Sequence, residues 1–134
     1  MFKKILAEVP RVLFGAVLVL SGVAGLLHAI PPPPEPLTGA ASLYMTGLTG
    51  TYLFTLVKLT EVFAGVLLLS NRLVPLALVV FVPVLVNIVG FHLFYAPSGL
   101  PVPVLLLAAE LSLAWKHRAA FGPMLKVKSG PVSV

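Results

Sequence analysis

The chain has no cysteine, which excludes structural disulfides, thiol relays and every thiolate metal site. Histidine-based metal chemistry lacks its spacing too, since neither an HxxxH nor an HxxE pattern occurs. No haem, flavin or nicotinamide motif is present, so no electron carrier is evident within the chain. Charge is equally scarce. Only 10% of the 134 residues are charged, against about 25% in soluble domains.

What the chain has is apolar surface, with 59% hydrophobic residues and a mean hydropathy of +1.09. A soluble fold this short keeps a large share of its area in water, so its solvent is expected to be lipid. One membrane domain is predicted over residues 1–121. A flexible cytoplasmic tail follows over 122–134, where Gly, Pro, Ser and Lys mix.

Four apolar runs stand out: Val12–Ile30, Tyr52–Leu69, Leu73–Tyr95 and Leu100–Trp115. A span takes about 20 residues, and the fourth run is short unless it borrows from its flanks. Backbone groups in hydrocarbon must pair internally, so each run is expected to be helical, giving an all-α bundle of four transmembrane helices. The net charge of +5 is distributed asymmetrically. Lys3, Lys4 and Arg11 precede the first run, Arg72 lies in the Ser70–Arg72 turn, and Lys116, Arg118, Lys126 and Lys128 follow the last run. The connections Pro31–Thr51 and Ala96–Gly99 hold no Lys or Arg. The positive-inside rule then places both termini in the cytoplasm of a cell, with a multi-pass protein in the cell membrane, the inner one in a bacterium. This is not a basic stripe interleaved with aromatics, so nucleic acid is not an expected partner. Cleavage as a signal peptide after Ala29 is the competing reading of the N-terminus, but Leu27 and His28 match A-x-A poorly.

Gly15, Gly22, Gly25 and Ala29 form a small-residue stripe on which a neighbouring helix can approach closely. Pro83 removes a backbone donor in mid-span and leaves the Val79 carbonyl without its usual partner, which predicts a kink. Pro101 and Pro103 suit a first helical turn. In the outer loop, residues 31–51, Pro31–Pro34 form a stiff spacer. Beyond it Thr38 is expected to cap a short extra helix through AASLYMTG, lying over the outer mouth of the bundle with Tyr44 at headgroup level.

Into this apolar background the chain places Lys58 and Glu61 on one face of the second run. Counted from the outer ends, Lys58 lies roughly 9 Å deep, Asn87 about 12 Å, Glu61 about 14 Å and Glu110 about 15 Å, with His28 and His92 within about 5 Å of the surface. A charge at mid-helix costs about 2.5–3.5 kcal/mol to insert, so the polar face should turn toward protein. Two carboxylates and one ammonium do not balance. A proton on Glu61 or Glu110, a second cation or a water has to make up the difference. Lys58, Glu61, Asn87, His92, Glu110 and His28 are therefore the candidate ligand-binding residues, arranged as a polar well open to the outside. Five of them also have a structural reading: an ion pair that fixes packing for Lys58 and Glu61, a helix-to-helix hydrogen bond for Asn87, and an interfacial position for the two imidazoles.

RVLFGAVLVLSGVAGLLH (Arg11–His28), TGTYLFTLVKLTEVFAGVLLL (Thr49–Leu69) and RLVPLALVVFVPVLVNIVGFHLF (Arg72–Phe94) together resemble the DoxX-like family of small four-helix membrane proteins. The likeness rests on Gly15 and Gly22, the K-x-x-E-x-x-x-G pattern of Lys58, Glu61 and Gly65, and Asn87 and His92. It implies an accessory role in membrane redox or quinone-linked metabolism, with a quinone headgroup near Glu61, Asn87, His92 or Lys58 and a redox partner subunit or a second copy beside it. Two other functions use the same residues. One is a small proton-linked carrier; the other is a non-catalytic scaffold or assembly factor.

Overall fold

The computed structural model describes residues 2–126, with side chains from Leu6 onward. Six α-helices follow one another: α1 (Phe2–Leu26), α2 (Gly39–Thr49), α3 (Tyr52–Leu69), α4 (Val74–Phe94), α5 (Pro101–Lys116) and α6 (Arg118–Phe121). Short 3-10 turns cover Pro97–Gly99 and Gly122–Leu125, and no strand occurs among the described residues. The expectation of a flexible tail falls mostly on residues 127–134, which lie outside the described residues; 122–125 are one of the 3-10 turns.

Three helices are long and apolar enough to cross a membrane, over Leu6–Leu26, Tyr52–Leu69 and Val74–Phe94. α5 has 16 residues, about 24 Å of helix, and falls short of a hydrocarbon core of about 30 Å. The helices form a ring in which α1 packs on α3 and α5, and α4 packs on α3 and α5. One end of the ring carries the start of α1, the α3–α4 turn with Arg72 and the end of α5, and is called the basic end below. The other end carries the longer connections and is the loop end.

The α3–α4 turn is closed by backbone geometry. Asn71, at φ 55°, is the left-handed residue after α3, with its N–H donating to the Leu68 carbonyl (3.2 Å) and the Arg72 N–H donating to that of Leu67 (3.0 Å). This paired motif satisfies carbonyls that a helix end leaves open.

The first helix departs from its expected limits of Val12–Ile30 at both ends. It starts at Phe2 and continues through Pro10, and Glu8 and Arg11, one turn apart, pair across that stretch (2.8 Å). It stops at Leu26 because His28 takes φ 55°, with its N–H on the Gly25 carbonyl (3.1 Å) and the Ala29 N–H on the Ala24 carbonyl (2.8 Å). α2 spans more than AASLYMTG. Thr38 stands at its N-cap position, yet the threonine side chain makes no capping bond. The helix sits on the α3–α4 side of the loop end, where Tyr44 packs against Phe91 (ring centroids 5.0 Å) and Tyr95 (6.1 Å).

The apolar core lies in the basic half. Phe14 and Leu18 from α1, Ala64 and Leu68 from α3, six residues of α4 including Phe81 and Leu85, and Leu113 from α5 are all buried. Phe14 meets Phe81 edge-on at 5.7 Å across the ring of helices. The tightest seam is α1 against α3, where small residues are needed. A Cβ on Gly22 would stand 2.8 Å from the Lys58 carbonyl oxygen and 3.0 Å from the Val62 nitrogen, and one on Gly65 would stand 2.8 Å from the Gly15 carbonyl oxygen. Backbone meets backbone there, as small-residue membrane seams allow. Gly90 has nothing within 4 Å of such a Cβ. Gly22→Val is therefore expected to lower stability by about 1–3 kcal/mol in detergent unfolding titrations, while Gly90→Ala leaves it unchanged or raises it.

Candidate functional site

Lys58 and Glu61 point from α3 into the α1 seam. The ammonium stands 3.0 Å from each oxygen of Glu61 and 3.3 Å from the Ser21 hydroxyl of α1. Both residues are buried, Glu61 to 2% exposure. The lysine stem crosses α1 at Gly25, where a Cβ would come within 2.5 Å of Lys58 Cδ. Gly25 is thus the slot through which a long cationic side chain reaches along the interface, and Phe54 covers the charge from its own helix with its ring centroid 5.6 Å away. An ammonium has three donors, and here three acceptors surround it.

Glu110 occupies a corresponding place on another wall. Glu61 stands nine residues after Tyr52 and Glu110 nine after Pro101, on helices that both start at the loop end. Each therefore lies about 14 Å below that end. Glu110 is 4% exposed, and its Oε2 is buried without a hydrogen-bond partner. It joins none of the ion pairs among the described residues, which are Arg11–Glu8, Lys58–Glu61 and Lys116–Glu8.

The other candidates face elsewhere. Asn87 is exposed and donates through Nδ2 to the Pro83 carbonyl (2.9 Å), while its Oδ1 accepts from the Tyr44 hydroxyl at 3.4 Å. It does not reach the Val79 carbonyl that Pro83 leaves open. With Leu56, Val57, Thr60, Val80, Pro83 and Val84 it lines an open groove of about 300 Å³ between α3 and α4. That groove includes neither Lys58 nor Glu61. His92 donates from Nδ1 to the Ile88 carbonyl (2.8 Å). Its ring is packed under Gly99, where a Cβ would lie 2.5 Å from Cδ2. His28 is exposed, and its part in the fold is played by its backbone at the end of α1. So the structure joins Lys58 to Glu61, sets Glu110 at their level without a partner, and puts Asn87, His92 and His28 in three separate settings. Common depth is present; a common pocket holding all six is not.

Two arrangements escaped the sequence reading. Ser21, the third acceptor of Lys58, precedes Gly22 on the small-residue stripe and lies one turn from Gly25, which was the available signal. Arg11 was read as a flanking charge but is 7% exposed. Its Nη1 donates to the carbonyls of Leu68 and Leu69 in the last turn of α3, and its Nε donates to Glu8. Cations favour that end of a helix because the open carbonyls carry its negative pole. Glu8 in turn binds Lys116 of α5 at 2.7 Å, and Lys116 also donates to the Ala7 carbonyl (3.2 Å). Three walls of the bundle are tied together at the basic end.

Replacing one member of the Lys58–Glu61 pair strands the other in the seam. Lys58→Met or Glu61→Leu alone is expected to cost about 3–5 kcal/mol, and the double variant to recover most of that loss; unfolding in detergent measures all three. His28→Gly should preserve the fold and raise stability by about 1 kcal/mol, because glycine adopts the left-handed conformation without a Cβ penalty. A loss of stability on that change would mean that the imidazole itself holds the end of α1. No family model, curated protein or solved structure matches the chain, and on its own residues it is an all-helical protein with three helices long and apolar enough to cross a membrane.

Proposed function

We propose that this chain is a four-span accessory subunit of a cell membrane, both termini cytoplasmic and α5 the fourth crossing, serving a membrane redox or quinone-linked system without carrying out the chemistry itself. The observation that supports this best is the saturation of Lys58, whose three donors face both oxygens of Glu61 and the Ser21 hydroxyl. A pair so enclosed fastens α1 to α3 and has no donor left for a substrate. A carrier needs such a pair to change partners during its cycle, so the enclosure favours the accessory role.

The α3–α4 groove is a place on the described surface where a ligand could lie. Its lining is apolar apart from Thr60 and Asn87, which suits a lipid-soluble molecule with a small polar head. The likeness to the DoxX-like family, carried by Gly15, Gly22, Lys58, Glu61, Gly65, Asn87 and His92, points to a quinone. Its isoprenoid tail would lie along Leu56, Val80 and Val84, with the headgroup at Asn87. Because the chain shows no motif for an electron carrier, electrons would enter and leave through a partner subunit. A bacterial inner membrane provides that setting.

Mass spectrometry of small molecules retained after mild detergent purification tests the reading. Quinone is expected with the wild-type chain and should be largely lost from Thr60→Phe, which fills the groove, while circular dichroism shows helicity unchanged. Absence of quinone from the wild type, or equal retention by Thr60→Phe, overturns it.

A further inference from the structure

The basic end of the bundle holds more cationic charge than its own carboxylates can balance. Glu8 is the only described carboxylate at that end, and both its oxygens are engaged, Oε2 by Arg11 and Oε1 by Lys116. Arg72, Arg118 and Lys126 are exposed and have no carboxylate partner among the described residues. They share one end of the molecule. Arg72 lies in the turn after α3, and α3 and α5 run the same way, so Arg118 and Lys126, which follow α5, come to the same level.

Apolar side chains stand beside these cations. Leu73 is 64% exposed, Trp115 71%, Met124 65% and Leu125 80%. Phe121 packs against the core and holds the segment after α5 to the bundle. The Arg118 guanidinium lies 5.0 Å over the Trp115 ring and donates to the Trp115 carbonyl at 3.1 Å. An indole with a cation stacked on it belongs at the boundary between acyl chains and headgroups. A lipid leaflet accepts four large apolar side chains at this level and presents phosphate to the cations next to them.

We infer that this rim, with Trp115 and Arg118 at the end of α5, Lys126 after it and Arg72 at the same level in the α3–α4 turn, is a docking surface for anionic phospholipid headgroups. The lipid phosphates supply the negative charge that the chain does not, and the exposed leucines, methionine and tryptophan enter the acyl boundary beneath them. The surface is separate from the α3–α4 groove and stands whether or not that groove takes a quinone.

Trp115 is the only tryptophan in the sequence, so its fluorescence reports on this rim alone. The full chain is reconstituted in phosphatidylcholine vesicles containing a minor fraction of lipid brominated on its acyl chains, either phosphatidylglycerol or phosphatidylcholine at equal mole fraction. Brominated phosphatidylglycerol should quench Trp115 the more strongly, with a preference of up to about fivefold per cation at low salt that shrinks as salt is added. The double variant Arg72→Gln, Lys126→Gln leaves the Trp115–Arg118 contact intact and should reduce the preference. Its unchanged emission maximum in bromine-free vesicles would show that the surroundings of Trp115 are preserved. Equal quenching by the two lipids overturns the proposal and leaves the rim to a soluble acidic partner. An undiminished preference in the double variant overturns the assignment of these cations.

Discussion

An ammonium buried away from water has to be given its acceptors by its own protein, and the arrangement of this bundle depends on how Lys58 obtains them. Two come from Glu61 one turn away, the third from Ser21 on α1. The third is within reach because α1 lies against α3 at backbone distance, and that approach needs glycine at positions 22 and 65, where an added Cβ would stand 2.8 Å from a carbonyl oxygen of the facing helix. Electrostatics and packing therefore impose one register. Sliding α1 along α3 by a single turn would take Ser21 from the ammonium and draw Arg11 away from the end of α3.

The same pairing of helix with helix is reinforced at the basic end by a different device. Arg11 completes the last carbonyls of α3, and Glu8 bridges Arg11 to Lys116 of α5. Five charged side chains, Glu8, Arg11, Lys58, Glu61 and Lys116, are thus engaged with one another inside the architecture. What faces outward is the apolar groove between α3 and α4 and the rim of exposed cations, both suited to lipid-like partners.

Much of this was legible from the residues. The limits of α3 could be read off the chain because Thr51 and the Ser70–Arg72 turn bracket a predominantly apolar run, and Lys58 and Glu61 pair because a spacing of three puts them on one helical face. The glycine stripe also announced its use. Other features depend on which way a side chain turns, and depth alone does not carry that information. Asn87 lies near the level of Glu61 but projects from α4 toward the groove, and His92 five residues on is drawn under Gly99. A one-dimensional count gives height along the bundle normal and nothing about azimuth. The ends of α1 were hidden for another reason. Hydropathy does not see a helix that runs back through Pro10 into charged residues, nor one stopped by a histidine in the left-handed region.

The shortness of α5 has a consequence for the surrounding lipid. On the four-span reading, the wall made by α4, with 21 residues, is about 31 Å tall, while that made by α5, with 16, is about 24 Å. The apolar girdle is then lower on one flank than on the other, and a bilayer meeting it must thin beside α5 or let the whole molecule lean. Such a lopsided girdle favours thin membranes over thick ones, and gives the flank of α5 a mechanical reason to seek a neighbour with an equally low wall.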